Sequence, residues 1–174
     1  MAKAGKLNYL VNWNKSLTPN LLSMRYRKNV AAFIINNNGE ILTCERCDYP
    51  GCWQLPQGGI DEGESVEDAL WRELMEEIGT NSAQILDALI PPLRYDWPDE
   101  IRKIRGFAGQ EQFFYLLRLN DEAEIDFCTH DTQEFRSYQW LNSTEFAVTI
   151  SGFKKDNYLM AMKMLTERNP GVLA

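Results

Sequence analysis

The chain has 174 residues, 44% of them hydrophobic, so it is the size of one domain and can bury a core. Its formal net charge of −7 argues against a general nucleic-acid binder, because sequence-independent affinity for phosphates comes from clustered Lys and Arg. No run approaches the roughly 20 apolar residues of a membrane span, and residues 1–18 lack the apolar segment of a signal peptide, so we expect a cytoplasmic protein.

The predicted elements begin with a hairpin. Residues 1–25 are of mixed character and form an extension with no assignable function, whereas residues 26–174 are expected to form the domain. Residues 30–35 and residues 41–45 are apolar and rich in β-formers, and residues 36–39 between them have the composition of a turn. This pattern predicts two antiparallel strands.

A short apolar run, residues 53–55, follows the hairpin. It leads directly into Pro56, Gly58 and Gly59, which are typical of loops. We therefore expect these three residues to end any regular structure.

The best-defined predicted helix follows this loop. Ser65 is a suitable N-cap, Glu67 and Asp68 are acids of the first turn, and Gly79 is a suitable stop after Ile78. Further along the chain, periodicity predicts strands at residues 83–90, 112–119 and 135–141 and a closing helix at residues 156–167. Strands around one strong helix predict an α/β (α+β) protein with a mixed sheet covered by helices.

Three glutamates lie beside the apolar stripe of the predicted helix. At 3.6 residues per turn, Glu73 and Glu77 are neighbours at the edge of the stripe, and Glu76 lies one step further out. A solvated acidic face, the ordinary interpretation of a charge cluster, would lie opposite the stripe. Acids at its edge repel one another and are partly desolvated, so they need positive charge.

Divalent cations would supply that charge. Arg72 is four residues before Glu76, but one guanidinium cannot balance three carboxylates. Hard oxygen ligands without a histidine nearby favour Mg²⁺ or Mn²⁺ over zinc, and such ions commonly bridge protein carboxylates and substrate phosphates. The sequence therefore indicates phosphoryl transfer to water.

The cysteines offer a weaker metal-site hypothesis. Cys44 and Cys47 have zinc-knuckle spacing and could combine with Cys52, Cys128 and His130. No second CxxC or HxxxH supplies matching ligands, and Cys44 lies in a strand-like run where cysteine is usually a small apolar residue. We expect reduced thiols, and we expect His130 to be a solvated loop residue.

Residues 58–80 resemble the Nudix box. They read GGIDEGESVEDALWRELMEEIGT, and the family pattern is Gly, five residues, Glu, seven residues, then Arg-Glu-aliphatic-x-Glu-Glu-x-Gly-aliphatic. Only the last position departs, because Thr80 replaces the usual aliphatic residue. The matched positions are Gly58, Glu64, Arg72, Glu73, Leu74, Glu76, Glu77 and Gly79.

Shorter motifs extend the resemblance over about residues 26–158, to the subfamily of RNA pyrophosphohydrolases and diadenosine tetraphosphate hydrolases. They are Tyr26-Arg27-x-Asn29-Val30, Trp53-Gln54-x-Pro56-Gln57-Gly58-Gly59, Gly109-Gln110-x-Gln112, Glu134-Phe135 and Phe153-Lys154-Lys155. The resemblance implies an α/β/α sandwich whose box helix is a platform for Mg²⁺. The implied metal ligands are Glu73, Glu76, Glu77, Glu134 and the carbonyl of Gly58.

The resemblance also implies roles in catalysis and in substrate binding. Glu77 or Glu134 would accept the proton of the attacking water, while Arg72 would orient the acids and Glu64 would support it. Substrate binding would involve Arg27 and Lys154 near phosphates, Phe153 stacked on a base, and Tyr95. Phe153 also has an ordinary alternative, as a core residue before the last helix.

Two substrates and two other classes of protein stay open at this point. Removal of pyrophosphate from 5′-triphosphorylated RNA leads, and asymmetric cleavage of diadenosine tetraphosphate to ATP and AMP is the alternative. Lys28, Phe113 and Cys47 stand where the subfamily often has proline, lysine and arginine, which leaves base preference open. A catalytically silent nucleotide-binding module and an interaction protein with an acidic helix are the other classes, and no protein partner can be inferred.

Overall fold

A computed structural model describes residues 25–128 and 133–174. Residues 1–24, which make up most of the predicted extension, and His130 lie outside the described residues. The strands are β1 (Arg27–Ile35), β2 (Ile41–Arg46), β3 (Trp53–Gln54), β4 (Gln57–Gly59), β5 (Ala83–Asp96), β6 (Gly109–Leu119) and β7 (Phe135–Leu141). The helices are α1 (Val66–Ile78), α2 (Asp99–Arg105), α3 (Ser143–Thr149) and α4 (Lys155–Arg168).

The strands that the structure describes form one mixed sheet. Its order is β3-β2-β1-β6-β5, with β4 paired to β1 and β7 paired to β2. The pair β1 and β6 is parallel, and the other pairs are antiparallel. The predicted hairpin is therefore confirmed as β1 and β2, and the predicted mixed sheet is confirmed as well.

Helices cover both faces of this sheet, which confirms the α/β/α sandwich. On one face the stripe of α1, including Leu70, Leu74 and Ile78, packs against alternate side chains of β1 and β2. On the other face Phe146 of α3 and Tyr158 of α4 pack with the remaining side chains of those strands. Successive side chains of the central strands point to opposite faces of the sheet, and each face is covered by its own helices, so the strands contribute to two separate cores.

The predicted box helix is confirmed at both ends. Ser65 accepts a hydrogen bond from the amide of Asp68, and Gly79 takes the left-handed conformation with φ of 71°. The predicted strand at 135–141 and the closing helix are also confirmed, the helix extending one residue further at each end. None of the helices in the described ranges is long and apolar enough to cross a membrane.

The expectation that Pro56, Gly58 and Gly59 end regular structure is confirmed for Pro56, since β3 ends at Gln54, but it is wrong for Gly58 and Gly59. Residues 57–59 form β4, which pairs with Asn29 to Ala31 of β1. Glycine is a poor strand former when it must fold alone, but here β1 supplies a partner and the box helix covers the strand. The site therefore begins on a strand edge and not in a free loop.

A buried polar network joins β1, β4, β6 and α4 beside this edge. Gln112 Nε2 donates to Asn29 Oδ1 over 2.7 Å and to Gln57 Oε1 over 3.0 Å, while Asn157 Nδ2 donates to Gln112 Oε1 over 3.0 Å. The hydroxyl of Tyr158 donates to Gln57 Oε1 as well. Since buried polar groups are costly unless paired, this network fixes the position of β4 and the loop that follows it.

Candidate active site

Arg72 joins the loop before α1 to the acids on the helix. Its Nε donates to Glu64 Oε1 over 2.8 Å, and its Nη2 donates to Glu64 Oε2 over 2.9 Å and to the carbonyl of Gly59 over 2.8 Å. Its Nη1 donates to Glu73 Oε1 over 2.7 Å and to Glu76 Oε2 over 3.2 Å. The Arg72 guanidinium holds the pKa of Glu64 at about 2, so this pair stays ionised and ties the loop to the helix.

Glu77 is the most deeply buried of the acids. Its Oε2 accepts a hydrogen bond from the amide of Gln57 over 2.7 Å, while its Oε1 is buried with no hydrogen-bond partner among the described residues. Burial raises the pKa of Glu77 well above its usual range, and the charges of Glu134 and Glu73 raise it further. A buried carboxylate oxygen without a donor needs a cation to be stable in ionised form.

Glu73 lies against the backbone of β4. A Cβ added to Gly58 would stand 1.7 Å from the Glu73 carboxylate carbon, so glycine alone allows this approach. Burial raises the pKa of Glu73, whereas the hydrogen bond from Arg72 lowers it. The structure thus brings the Gly58 backbone and the Glu73 carboxylate together, as the implied ligand set requires.

Glu134 reaches the same place from the segment that precedes β7. It precedes β7, and its side chain is 40% exposed. Arg46 Nη1 donates to Glu134 Oε1 over 3.0 Å, and Gln54 Nε2 lies 3.5 Å from the same oxygen. The charge of Glu134 raises the pKa of both Glu73 and Glu77, so these acids form one electrostatic group.

The donor set fits a divalent cation bound through oxygen. Arginines neutralise Glu73, Glu76 and Glu134 in part, but Glu77 Oε1 has no such partner in the part of the chain described. Across residues 25–128 and 133–174, no three acidic, histidine or cysteine side chains already converge on one point. These carboxylates would supply the hard oxygen ligands that Mg²⁺ and Mn²⁺ prefer.

A cavity of about 600 Å³ opens over these acids. Glu73 and Glu134 are among the residues that line it, and the cations on its wall are Arg27, Arg46, Arg105 and Lys154. Lys154 Nζ donates to Gln54 Oε1 over 3.2 Å, and burial lowers the pKa of this lysine to about 8. A cavity lined by both acids and cations suits a polyanion that brings its own metal ions.

The structure also brings together the two aromatic residues named from the sequence. The ring centroids of Tyr95 and Phe153 are 6.1 Å apart with an angle of 35° between the planes. Phe153 is 44% exposed and lines the cavity, so its alternative interpretation as a core residue is wrong. Tyr95 is partly buried, and its hydroxyl donates to Gln110.

Two cations of the cavity wall, Arg46 and Arg105, were not predicted from the sequence. Arg46 is the last residue of β2, and nothing in its local pattern shows that it meets Glu134 at the start of the neighbouring strand β7. Arg105 lies on α2, a helix of 7 residues with none buried, so it has no apolar stripe to detect.

The cysteines do not gather around a metal. All four are free thiols, and no cysteine belongs to a potential metal-binding group in the described ranges. Cys44 is fully buried in the core beneath α1, which confirms its interpretation as a small apolar residue.

Comparison with known proteins identifies the family. Residues 25–161 match the model of the NUDIX domain. An RNA pyrophosphohydrolase of Helicobacter pylori strain G27 is 43% identical over 143 residues, covering 79% of this chain and 92% of the relative. One of Campylobacter jejuni strain RM1221 is 39% identical over 148 residues, covering 82% and 94%.

Solved structures share the fold. The dihydroneopterin triphosphate pyrophosphohydrolase of E. coli superposes with a TM-score of 0.64 at 20% identity, covering 81% of this chain and 99% of that one. An Ap4A hydrolase of C. elegans superposes with a TM-score of 0.60 at 17% identity, covering 82% and 98%. With the domain match and the box acids gathered beneath a polyanion-sized cavity, the chain belongs to the Nudix hydrolase family.

Proposed function

We propose that this Nudix hydrolase removes pyrophosphate from 5′-triphosphorylated RNA with the help of Mg²⁺, or of Mn²⁺ in its place. Hydrolysis of the anhydride between the α- and β-phosphates gives pyrophosphate and RNA with a 5′-monophosphate. The observation that carries the proposal is the buried Oε1 of Glu77, which has no hydrogen-bond partner among the described residues, beneath a cavity that is also lined by cations. The 43% identical relative named RNA pyrophosphohydrolase supports the substrate.

The proposed metal ligands are the carboxylates of α1 and of the loop before β7, together with a backbone oxygen. They are Glu73, Glu76, Glu77, Glu134 and the carbonyl of Gly58. When bound, divalent ions offset polyphosphate charge and lower the pKa of water. Arg72 is assigned an orienting role, because its guanidinium already bridges Glu64, Glu73 and Glu76.

Glu134 is the proposed acceptor of the proton from the attacking water. It lies in the cavity wall with its side chain 40% exposed, whereas Glu77 is buried beneath the wall and is bonded to the Gln57 amide. A general base must come within hydrogen-bond reach of the water that it deprotonates. Glu134 meets that requirement from the cavity side, while Glu77 is buried and is not among the residues that line the cavity.

Three cations of the cavity wall, Arg27, Arg105 and Lys154, are the proposed phosphate contacts. In the described ranges neither Arg27 nor Arg105 forms an ion pair with a carboxylate, so both can bind phosphate without breaking an existing bond. Lys154 adds a third positive charge below about pH 8. Phe153, exposed beside Tyr95, is the proposed surface for a nucleobase, since aromatic stacking contributes about 1 to 3 kcal/mol per base.

Diadenosine tetraphosphate is the second candidate substrate, and one feature favours it. A groove of about 540 Å³ adjoins the cavity and is lined by Trp53, Ile104 and Phe153. Small-molecule sites commonly have this size and mixed apolar wall, so a second adenosine could occupy it. The same carboxylates would then cleave the chain to ATP and AMP.

Product analysis distinguishes the two substrates. The protein is incubated with Mg²⁺ and either triphosphate-ended RNA or diadenosine tetraphosphate, with a matched reaction in excess chelator. Release of pyrophosphate and monophosphate-ended RNA supports the proposal. Formation of ATP and AMP, with the RNA unchanged, would instead identify diadenosine tetraphosphate as the substrate. No turnover of either substrate would refute both assignments.

For the catalytic unit we propose residues 26–174.

A further inference from the structure

Two consecutive residues at the end of β2 hold Glu134. The amide of Cys47 donates to the carbonyl of Glu134 over 2.8 Å, and Arg46 Nη1 donates to the carboxylate over 3.0 Å. The pairing of β2 with β7 shifts register between Glu45 and Arg46. Because a bulge changes the direction in which side chains point, this irregularity aims Arg46 at the start of β7.

Arg46 is itself fixed by an acid two residues later. Its Nε donates to Asp48 Oδ1 and its Nη2 donates to Asp48 Oδ2, both over 2.7 Å. This bidentate pair occupies one edge of the guanidinium and leaves Nη1 for Glu134, with Gln54 Oε1 at 3.4 Å. Fork-to-fork pairs of this kind fix geometry as well as charge.

The engagement of Arg46 separates it from the other cations on the cavity wall. Every nitrogen of its guanidinium has a partner, whereas Arg27 and Arg105 have no carboxylate partner within the described ranges. Phosphate binding by Arg46 would require the loss of bonds that it already makes. Its donors are committed to Asp48 and Glu134.

We propose that Arg46 is a positioning residue that holds the Glu134 carboxylate in place for proton transfer, and that Asp48 fixes Arg46 for this task. The inference rests on the role of Glu134 in the proposed function. Displacement of a reacting group by about 1 Å can lower the rate about 100-fold, so loss of this support should reduce kcat. Substrate affinity should change little, because the guanidinium nitrogens of Arg46 are all engaged by protein side chains.

A double-mutant cycle tests whether Arg46 acts through Glu134. Arg46→Gln should lower kcat about 10- to 100-fold with KM within about twofold of the wild type. The double variant with Glu134→Gln should be no slower than Glu134→Gln alone, because the supported group is already lost. Multiplied losses, or a rise in KM without a fall in kcat, would overturn the inference.

Conservative variants separate geometry from charge. Arg46→Lys keeps the positive charge but cannot bridge Asp48 and Glu134 at once, so kcat should still fall at least about fivefold. Asp48→Asn should lower kcat less than Arg46→Gln does. Arg136→Gln is the matched control: Arg136 pairs with Glu45 over 2.6 Å in the same β2–β7 ladder, outside the cavity lining, and its loss should leave kcat unchanged.

Binding of Mn²⁺ to the substrate-free protein gives a readout that does not depend on turnover. Calorimetric titration should show weaker binding for Arg46→Gln and Glu134→Gln, with no further loss in the double variant. Tighter binding to Arg46→Gln would mean that Arg46 competes with the metal for Glu134, and unchanged binding would mean that it does not position that carboxylate. Either result would overturn the inference.

The proposed function can fail separately from this inference. If the wild type hydrolyses no polyphosphate, or if Glu134→Gln keeps full activity and full Mn²⁺ affinity, the proposed role of Glu134 is wrong. If Glu134→Gln is impaired while Arg46→Gln is normal, the assignment of Glu134 stands and only the role of Arg46 is wrong.

Discussion

Gly58→Ala is a small change that should displace one carboxylate of the site. The added Cβ would stand 1.7 Å from the Glu73 carboxylate carbon and 1.8 and 1.9 Å from its oxygens. Gly58 lies in β4 and is not among the glycines of positive φ, so alanine fits its backbone conformation. The conflict is therefore with Glu73 and not with the conformation of the chain.

The size of that conflict sets the expected loss. Ordinary contact begins at about 3.4 Å, so the Glu73 carboxylate must withdraw by about 1.7 Å or β4 must move away from α1. Misplacement of a catalytic group by about 1 Å can lower the rate about 100-fold. We expect Gly58→Ala to lower kcat at least about 100-fold, close to the loss in Glu73→Gln.

Steady-state hydrolysis of triphosphate-ended RNA, with thermal melting as a check on folding, measures this effect. Gly59→Ala is the matched control on the same strand, because its Cβ would meet only the guanidinium of Arg27, with Nη2 at 2.3 Å. That flexible group can move, so Gly59→Ala should raise KM and spare kcat. A folded Gly58→Ala protein with more than a third of the wild-type kcat would refute the proposed role of Glu73.

Three further predictions concern charge and stacking. Glu77→Gln should nearly abolish turnover. Because burial raises the pKa of Glu77, the metal-free wild type should lose stability as pH rises above 4.5. Melting curves recorded in chelator should show a smaller loss of stability for the variant. Lys154 loses its charge above about pH 8, so KM should rise above that pH, and Lys154→Arg should remove the rise. If KM depended on pH in the same way in the variant and the wild type, a phosphate contact of Lys154 would be excluded. Phe153→Ala should raise KM about fivefold or more. An unchanged KM with a lower melting temperature would contradict stacking.

The sequence predicts those parts of the fold that rest on local periodicity. The box helix has a cap, a stripe and a stop within one segment, and both of its ends agree with the structure. The strand at Phe135–Leu141 is likewise bounded by local signals. Elements that need a distant partner were missed or shortened: β4 exists because β1 pairs with it, and β5 continues past its prolines because β6 accepts a register shift there.

The short helices α2 and α3 were also not predicted from periodicity. The helix α2 is held by Arg102, which donates to the carbonyl of Trp97 over 2.5 Å, and not by an apolar face. The helix α3 carries a capping box of Asn142 and Glu145, a local signal that could have identified it. Capping residues were therefore the more useful signal at this length, because 7 residues complete only two turns.

The positions of the acids in the candidate site also have both local and long-range causes. Helical periodicity places Glu73 and Glu77 together, and the structure agrees because one helix holds both. The meeting of Glu134 with Arg46 depends on a bulge between β2 and β7, which no spacing within either segment reveals. Sequence can thus show which charges must be neutralised, while the sheet decides which cation reaches each one. Glu77 is buried, and its Oε1 has no hydrogen-bond partner among the described residues, so its ionisation is the one that most requires a bound metal.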